Sequence, residues 1–377
     1  MSHVQFMRLA FRLARRGFGA TSPNPMVGAV LVKGGKIIGH GWHRRAGLPH
    51  AEIEALRDAQ KNGHSPRGAI FYVTLEPCCT RGRTPPCTDA IIAAGIKKVV
   101  VGTTDPNPKH ACKGFKILRS AGIKIVHGIL ADECTRLNEA FNHWIVHRIP
   151  FVTLKAAMTL DGKIATASGE SKWITGEKAR ANGMKLRLGS DAILAGINTI
   201  LADDPSLTAR PGKNIQNPKL RRIILDSQAR TPLTSKVVSD EFAALTTIVV
   251  GRNAPKNRVA ALAKKVNVIV APISKSAIRN PQSAINLRWL LKKLGAANVT
   301  SLLVEGGGEA NASFLLGGFA QRVCFFYTPK ILGGRDARKA VAGDGAKSLA
   351  DALQLSDVEW RRLGDDLLLT ATLESKL

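Results

Sequence analysis

Short apolar segments alternate with helical segments along the first part of the chain, and this alternation constrains its fold most strongly. A glycine turn at Gly34-Gly35 separates two extended segments, 27–32 and 36–41, which predicts a β-hairpin. Helical and extended periodicities then follow one another to residue 146. We predict helices at 51–61, 88–94, 114–121 and 132–146, and strands at 69–75, 97–101 and 123–126. This order of elements is typical of a three-layer α/β domain.

The length of 377 residues is sufficient for two domains. Pro150 disfavours helical backbone at the preceding residue, so a helix ends there and a new strand begins. We therefore predict one domain at 1–148 and another at 149–377. The second domain also alternates, with strands predicted at 151–156, 192–195, 222–225, 246–250, 266–270, 301–304, 324–327 and 367–372, and helices at 177–188, 287–294 and 310–316. We predict a surface loop at 210–219, which is rich in proline, glycine and asparagine.

Composition argues against several classes of protein. The net charge is +27, but like charges occur in no run longer than a pair, so a dedicated nucleic-acid-binding protein is not favoured. No apolar run approaches the roughly 18 residues of a membrane span, and arginines interrupt the apolar N-terminal positions, unlike in a secretory signal. Six cysteines, two of them adjacent, do not form a secreted disulfide framework. We expect a cytoplasmic protein with neither membrane nor nucleic acid as partner.

Histidine and cysteine are concentrated in the first domain, where His50, Cys78 and Cys87 each lie at the start of a helix or after a strand. One imidazole and two thiolates provide three ligands of a tetrahedral Zn²⁺ and leave a position for water, as in catalytic zinc sites. Glu52 can move a proton from that water to a leaving amine. Taken singly, His50 also fits a core or surface histidine, and the cysteines also fit buried thiols. The combination indicates a catalytic zinc site.

These motifs are typical of nucleotide-base deaminases, with one difference in spacing. Eight residues separate Cys78 from Cys87, far more than in the usual P-C-x-x-C signature. Residues 74–87 (TLEPCCTRGRTPPC), with 22–29, 47–52 and 105–108, resemble the deaminase domain of the bifunctional riboflavin-biosynthesis deaminase-reductases. The resemblance implies a three-layer, cytidine-deaminase-like fold, with His50, Cys78 and Cys87 as zinc ligands, Glu52 as proton shuttle and Asn24 as a contact to the substrate base.

Three places depart from this family pattern. Glu54 stands where a histidine is frequent, Cys79-Thr80 stands where a Ser-His pair is common, and residues 110–112 (HAC) replace a more apolar, glycine-containing stretch. None of the three changes the zinc ligands, so they bear on substrate contacts. We interpret Cys79 as a bystander. His110 and Cys112 fit either a second metal site or a solvated loop.

The second domain contains no histidine and therefore lacks the commonest acid–base catalyst, which points to cofactor chemistry. Residues 301–311 (SLLVEGGGEAN) run from an apolar strand through a glycine turn into a helix. Backbone N–H groups of such a turn can approach a phosphate at the helix N-terminus. A plain strand-to-helix turn explains the same residues.

Residues 155–165, 168–175, 191–208 and 304–308 resemble the reductase domain of the same family, so the resemblance spans nearly the whole chain. It implies a dihydrofolate-reductase-like α/β fold that uses NADPH. The implied cofactor-lining residues are Ala157, Trp173, Thr199, Asp203, Ser227, Gly307, Gly308, Glu309, Ala310, Asn311, Ala312 and Ser313. The implied sugar-phosphate contacts are Ser171, Arg187, Leu207, Arg210 and Glu305. Asp203 fits either a residue that assists proton delivery to the sugar or part of a plain turn before Pro205.

Together the two resemblances imply a two-step enzyme of riboflavin biosynthesis. The first domain would deaminate 2,5-diamino-6-(ribosylamino)-4(3H)-pyrimidinone 5′-phosphate, and the second would use NADPH to produce 5-amino-6-(ribitylamino)uracil 5′-phosphate. Two alternatives remain: a tRNA or nucleoside deaminase with an accessory domain, and a basic nucleic-acid-binding protein with a structural zinc. We expect a homo-oligomer whose partner is a small phosphorylated pyrimidine.

Overall fold

A computed structural model describes residues 1–81, 85–209, 220–272 and 285–373. The chain divides into two compact units, Met1–Arg148 and Ile149–Leu377. None of the helices in the described ranges combines the length and the hydropathy that crossing a membrane requires.

The first unit alternates strands and helices as the sequence pattern predicts. Its helices are α1 His3–Ala14, α2 Ala51–Lys61, α3 Cys87–Ala93, α4 Lys113–Ser120, α5 Ala131–Leu137 and α6 Glu139–His147. Its strands are β1 Gly28–Lys33, β2 Lys36–Trp42, β3 Ile70–Leu75, β4 Lys98–Thr103 and β5 Lys124–His127.

These strands form one sheet in the order β2-β1-β3-β4-β5. β1 is antiparallel to β2 and β3, whereas β3, β4 and β5 are parallel. Successive side chains of a strand point to opposite faces, and helices cover both faces here. α1 packs on the face of Val30 and Tyr72, and α2, α3 and α4 pack on the face of Leu31 and Phe71. The predicted three-layer arrangement is confirmed.

Two elements of this unit differ from the sequence prediction. α1 was not predicted, although Ser2 and Gln5 form a capping box at its start. The helix predicted at 132–146 is wrong as a single element, because it is interrupted at Asn138. The Asn138 carboxamide accepts the N–H of Met26 at 2.7 Å and donates to the Met26 carbonyl at 2.9 Å. This bond to a distant residue accompanies the break between α5 and α6.

The second unit continues the alternation. Its helices are α7 Glu177–Leu188, α8 Ile197–Asp203, α9 Lys236–Ser239, α10 Lys256–Ala263, α11 Leu287–Ala296 and α12 Gly308–Leu316. Its strands are β6 Phe151–Thr159, β7 Lys163–Ala165, β8 Ala192–Gly196, β9 Arg221–Leu225, β10 Thr246–Gly251, β11 Asn267–Ala271, β12 Ser301–Val304, β13 Arg322–Thr328, β14 Arg338–Lys339, β15 Ser356–Leu363 and β16 Asp366–Thr372.

Nine of these strands form one sheet in the order β11-β10-β9-β8-β12-β6-β13-β16-β15. The strands from β11 to β13 are parallel, and β16 and β15 complete the sheet in antiparallel fashion. Leu194 lies in a core with Leu290 and Phe314, while its neighbour Ile193 lies in a second core with Ile200 and Leu262. Both faces of the sheet are therefore covered, as expected for parallel strands.

The predicted strands and helices of this unit are present, with ends shifted by a few residues. The sequence analysis missed α8, α9 and α10, the short pair β7 and β14, and the edge strand β15. The surface loop predicted at 210–219 lies outside the described residues.

Candidate active sites

The three predicted zinc ligands lie at one end of the first sheet, where β3 ends and two helices begin. His50 is the N-cap of α2, Cys87 is the first residue of α3, and Cys78 lies in the loop after β3. Prolines precede both helix starts and are compatible with the extended backbone there. The Nδ1 atom of His50 lies 3.6 Å from the Cys78 sulfur and 3.4 Å from the Cys87 sulfur.

These separations fit a tetrahedral zinc ion. Typical Zn–S and Zn–N bond lengths place a sulfur and a nitrogen ligand about 3.6 Å apart around a tetrahedral centre. All three donor atoms lie within 4.8 Å of one another. The hydrogen bonds from the Cys87 and His50 side chains lower the pKa of Cys78 and favour its thiolate, whereas the bond to Cys78 raises the pKa of Cys87. The donor set and its geometry thus match an open, three-ligand zinc site.

Glu52 lies beside these ligands, in the first turn of α2, and only 4% of its surface is exposed. Burial raises the pKa of its carboxyl group to about 7, and the negative charge of Cys78 contributes to the shift. A carboxyl group with a pKa near neutrality can both accept and release a proton at cellular pH.

Asn24 is oriented by a buried histidine that the sequence analysis did not identify. The His43 Nδ1–H donates to the Pro49 carbonyl at 3.0 Å, and burial lowers the pKa of His43, so its Nε2 acts as an acceptor. The Asn24 Nδ2 donates to this Nε2 at 3.1 Å. The arrangement leaves the Asn24 Oδ1 as a hydrogen-bond acceptor. The His43 and His50 rings pack edge to face at 5.3 Å, so Asn24 is tied to the zinc site.

The imidazole of His110 forms two short hydrogen bonds next to this site. Its Nδ1 lies 2.7 Å from Asp105 Oδ2 and its Nε2 lies 2.7 Å from Thr80 Oγ1. Among the described residues, His50, Cys78 and Cys87 are the one group of three or more side chains that could hold a metal. The structure therefore gives no support to a second metal at His110 and Cys112. The solvated-loop alternative agrees with Ala111 and Cys112, which are exposed, whereas the His110 side chain itself is only 15% exposed.

The second group of predicted residues follows the carboxyl ends of the parallel strands in the second sheet. Thr199 and Asp203 lie on α8 after β8, Ser227 follows β9, and Glu305 follows β12. Ligands of open α/β sheets bind at this edge. The fold therefore brings residues that are far apart in sequence to one side of the sheet.

Arg187, Glu305 and Lys155 form a charged cluster at this edge. The Arg187 Nε and Nη2 donate to the two carboxylate oxygens of Glu305 at 2.8 and 2.9 Å, and Lys155 Nζ lies 3.4 Å from Oε2. Burial would raise the pKa of Glu305, but the two cations outweigh burial and lower it to about 2. Arg187 Nη1 also donates to the Thr208 carbonyl at 2.9 Å. Sequence analysis did not assign a role to Lys155.

The three glycines at the start of α12, Gly306, Gly307 and Gly308, have different surroundings. A Cβ atom on Gly306 would lie 2.5 Å from the Ala310 Cβ, and one on Gly308 would lie 2.4 Å from the Lys339 carbonyl oxygen. A Cβ on Gly307 would have Thr199 Oγ1 as its neighbour, at 3.9 Å. Close packing therefore requires Gly306 and Gly308, whereas Gly307 faces open space beside Thr199.

The remaining predicted residues vary in accessibility. Ser171 donates to Asp203 Oδ1 at 3.1 Å, so these two lie together. Trp173 is 69% exposed beneath the guanidinium of Arg180. Asn311, Ala312 and Leu207 are buried, whereas Ala157, Thr199, Ser227, Glu309, Ala310 and Ser313 are partly or fully exposed. Arg210 lies outside the described residues.

Two family models match the chain. Residues 1–103 match the "Cytidine and deoxycytidylate deaminase zinc-binding region", and residues 150–369 match the "RibD C-terminal domain".

Curated relatives match over the full length. The riboflavin biosynthesis protein RibD of Actinobacillus pleuropneumoniae is 42% identical and aligns with 100% of this chain and 97% of its own length. The protein of the same name from Escherichia coli is 39% identical, over 98% of this chain and 99% of its own.

Solved structures agree in fold along the whole chain. RibD of Acinetobacter baumannii is 36% identical with a TM-score of 0.85, and 99% of each chain is covered. A Thermotoga maritima diaminohydroxyphosphoribosylaminopyrimidine deaminase/5-amino-6-(5-phosphoribosylamino)uracil reductase is 35% identical with a TM-score of 0.80 and the same coverage.

These matches confirm both folds that the sequence implied: a cytidine-deaminase-like first domain and a dihydrofolate-reductase-like second domain. The zinc cluster and the deaminase model coincide in the first unit, and the reductase model covers most of the second. The chain therefore belongs to the RibD family of riboflavin biosynthesis proteins, and it is a bifunctional enzyme that combines a zinc-dependent deaminase with an NADPH-dependent reductase.

Proposed function

We propose that residues 1–148 deaminate 2,5-diamino-6-(ribosylamino)-4(3H)-pyrimidinone 5′-phosphate and that residues 149–377 reduce the product. The final product would be 5-amino-6-(ribitylamino)uracil 5′-phosphate. The observation that carries this proposal is the His50, Cys78 and Cys87 cluster with Glu52 beside it. The full-length similarity to the T. maritima deaminase/reductase supports the choice of substrate.

In the deaminase domain, His50, Cys78 and Cys87 hold the zinc ion. Zinc, when bound, supplies a water whose pKa is lowered towards neutrality. Glu52 takes a proton from this water and transfers it to the amino group that leaves as ammonia, while the water oxygen becomes the new carbonyl oxygen. Because Glu52 is buried, bulk water has little access to its carboxyl group during this proton transfer. Asn24 accepts a hydrogen bond from the substrate base through its Oδ1, because His43 engages its Nδ2.

In the reductase domain, Arg187 binds the substrate phosphate and Glu305 orients Arg187. The two hydrogen bonds from Arg187 to the Glu305 carboxylate fix the plane of the guanidinium group. They use two of its five N–H groups, and a phosphate can bind to N–H groups that do not contact Glu305. The family resemblance implies that Glu305 contacts the sugar phosphate. An ionised Glu305 carboxylate repels a phosphate, however, so a direct contact between the two is disfavoured. Ser171, Leu207 and Arg210 stay as predicted phosphate-side residues.

The cofactor residues predicted from the sequence remain part of this proposal. NADPH, when bound, supplies the hydride. Gly307 and Thr199 offer space for the cofactor, because Thr199 Oγ1, at 3.9 Å, is among the described residues the one atom near the position of a Cβ on Gly307. Asp203, which accepts a hydrogen bond from Ser171, assists delivery of the proton that the sugar oxygen takes up as the ribosyl ring opens. Asn311 and Ala312 support the turn from inside, because both are buried.

We also propose a cytoplasmic homo-oligomer that acts on a small phosphorylated pyrimidine and not on nucleic acid. The basic residues are dispersed rather than gathered in runs, which favours small anionic substrates over a polynucleotide. The edge strand β15 carries exposed apolar side chains, Val358 at 47% and Trp360 at 58% exposure, which supports self-association.

The substitution Glu52→Ala tests the assignment of the proton shuttle. The wild-type protein with the phosphorylated diaminopyrimidine and NADPH should release ammonia and oxidise NADPH. Glu52→Ala should release no ammonia, yet it should oxidise NADPH at the normal rate when given the deaminated pyrimidine. Normal ammonia release by Glu52→Ala would show that the assignment is wrong. Tight tRNA binding without NADPH oxidation by the wild type would favour the alternative functions.

A further inference from the structure

The segment that joins the two zinc thiolates is unusually long, and one side chain ties its first part to another loop. Cys78 and Cys87 are separated by eight residues, and residues 79–81 and 85–86 of this segment are described. Both ends are fixed by the cluster, where the Cys87 N–H points to the Cys78 sulfur at 3.4 Å. In the described part of the segment, the Thr80 hydroxyl is the side chain that bonds to another loop, through His110 at 2.7 Å.

His110 is held from its other side by a carboxylate. Asp105 Oδ2 accepts the Nδ1–H of His110 at 2.7 Å, and Asp105 Oδ1 accepts the N–H of Asn107 at 2.9 Å. The carboxylate fixes the proton on Nδ1, so Nε2 faces the Thr80 hydroxyl. A hydroxyl can donate to a neutral ring or accept from a charged one, so this bond forms in either protonation state of His110.

A second buried carboxylate bonds to both ends of the loop that carries His110. Glu76 lies two residues before Cys78 and is 3% exposed. Its oxygens accept the N–H groups of Asp105 at 3.2 Å, Cys112 at 3.1 Å and Phe115 at 3.4 Å. Both ends of the loop that carries His110 are thereby fastened to the strand end that leads into the zinc ligand.

We propose that His110 is a positioning residue for deamination: anchored by Asp105, it holds Thr80 and thereby fixes residues 79–81, next to the zinc ligand Cys78. This inference rests on the proposed deaminase function of residues 1–148. Fixing residues 79–81 before the substrate arrives lowers the entropic cost of binding, because fewer groups next to the zinc site have to be ordered at that moment. The effect belongs to substrate binding, because neither Thr80 nor His110 belongs to the zinc cluster.

The test uses the full-length, zinc-loaded enzyme and the phosphorylated diaminopyrimidine. The variants are Thr80→Val, which removes the hydroxyl at nearly constant volume, Thr80→Ser, which restores it, His110→Ala and the double variant Thr80→Val/His110→Ala. For each, KM and kcat of ammonia release, zinc content and NADPH oxidation on the deaminated pyrimidine are measured. His40→Ala is the matched control, because His40 also pairs with a carboxylate, Asp58 at 3.0 Å, but on an exposed surface.

We expect Thr80→Val and His110→Ala each to raise KM about three- to tenfold, the range that corresponds to one net hydrogen bond. The value of kcat, the zinc content and NADPH oxidation should change little. Thr80→Ser and His40→Ala should behave like the wild type. The KM of the double variant should not exceed the higher KM of the two single variants, because both changes remove the same hydrogen bond.

Three results would overturn the inference: an unchanged KM in Thr80→Val, multiplied effects in the double variant, or loss of zinc in Thr80→Val. The last would mean that the bond supports the metal instead of the segment. Failure of the wild type to release ammonia would instead overturn the proposed function itself. If the wild type releases ammonia and the Thr80 and His110 variants have an unchanged KM, only the positioning role of His110 is wrong.

Discussion

Glu305 keeps its negative charge in a position where burial opposes ionisation. Its side chain is 10% exposed, and Arg187 and Lys155 compensate for the lost hydration. Neutralising one member of such a buried ion cluster destabilises the fold, because the remaining charges are left without a partner. The stability of the reductase domain should therefore depend on the protonation of this one carboxyl group.

The substitution Glu305→Gln tests this dependence. The folded pKa of about 2 lies below the ordinary value of about 4.3 for an unfolded chain, so ionised Glu305 stabilises the fold above pH 4.3. We expect the wild type to exceed Glu305→Gln by about 3 kcal/mol in free energy of unfolding at pH 7. The difference should shrink as the pH falls from about 4.3 towards 2. Urea unfolding of both proteins at pH 7 and pH 3 measures it, and an equal gap at both pH values would contradict the account.

Neighbouring glycines at the start of α12 provide a second residue-level prediction. Gly308→Ala should destabilise the protein by about 1–3 kcal/mol, because the new methyl group would collide with the backbone carbonyl of Lys339. Gly307→Ala should fold normally, because its backbone is extended with φ −73° and the space beside it is open. We expect it to raise the KM for NADPH severalfold. Thermal unfolding and NADPH kinetics separate the two effects, and equal stability of both variants would contradict the packing argument.

Sequence reasoning could predict the zinc residues and Glu52 because each lies in a short local motif at a strand end or a helix start. It missed the roles of His43 and Lys155 for the opposite reason. Asn24 lies 19 residues from His43, and Glu305 lies 150 residues from Lys155. No local spacing contains that information, so the fold had to bring these pairs together first.

At the level of elements, the alternation of apolar and helical segments was sufficient to predict most of the strands in both sheets. The prediction errors occur where tertiary contacts determine where a helix or strand begins and ends. α5 and α6 are separate because Asn138 bonds to Met26, which is 112 residues away. α8 was missed because it follows β8 directly through Gly196, so no loop residues separate the strand from the helix.

The edge strand β15 was also missed, since its residues are exposed along nearly its whole length and show no alternation of buried and exposed positions. A strand at a sheet edge presents unpaired backbone groups, and exposed apolar side chains on it favour pairing with another chain. The opposite edge of the same sheet is β11, in which Val270 is 51% exposed.

These two edges allow a matched test of oligomerisation. Val358→Lys on β15 should dissociate the proposed homo-oligomer, because a charged side chain on the edge strand would have to be buried between subunits. Val270→Lys on β11 adds the same charge at the other edge and should leave the oligomer intact. Light scattering after size-exclusion chromatography gives the mass of each. A monomeric wild type, or dissociation by Val270→Lys alone, would contradict the role assigned to β15.

At the scale of the whole molecule, the positive charge is shared almost equally between the two domains. The first 148 residues contain 22 basic and 9 acidic residues and the rest contain 33 and 19, net charges of +13 and +14. An even distribution is consistent with two sites that each bind a phosphorylated molecule. Such sites need only a few cations, however, and nothing in the structure explains most of the excess charge.

The central claim is that one chain carries out both reactions in order. Purified wild-type enzyme is given the phosphorylated diaminopyrimidine and NADPH, and the ammonia released and NADPH oxidised are measured in the same reaction. We expect equal amounts of both at completion, with ammonia appearing first. NADPH oxidation without ammonia release, or ammonia release with no NADPH oxidation, would contradict the account.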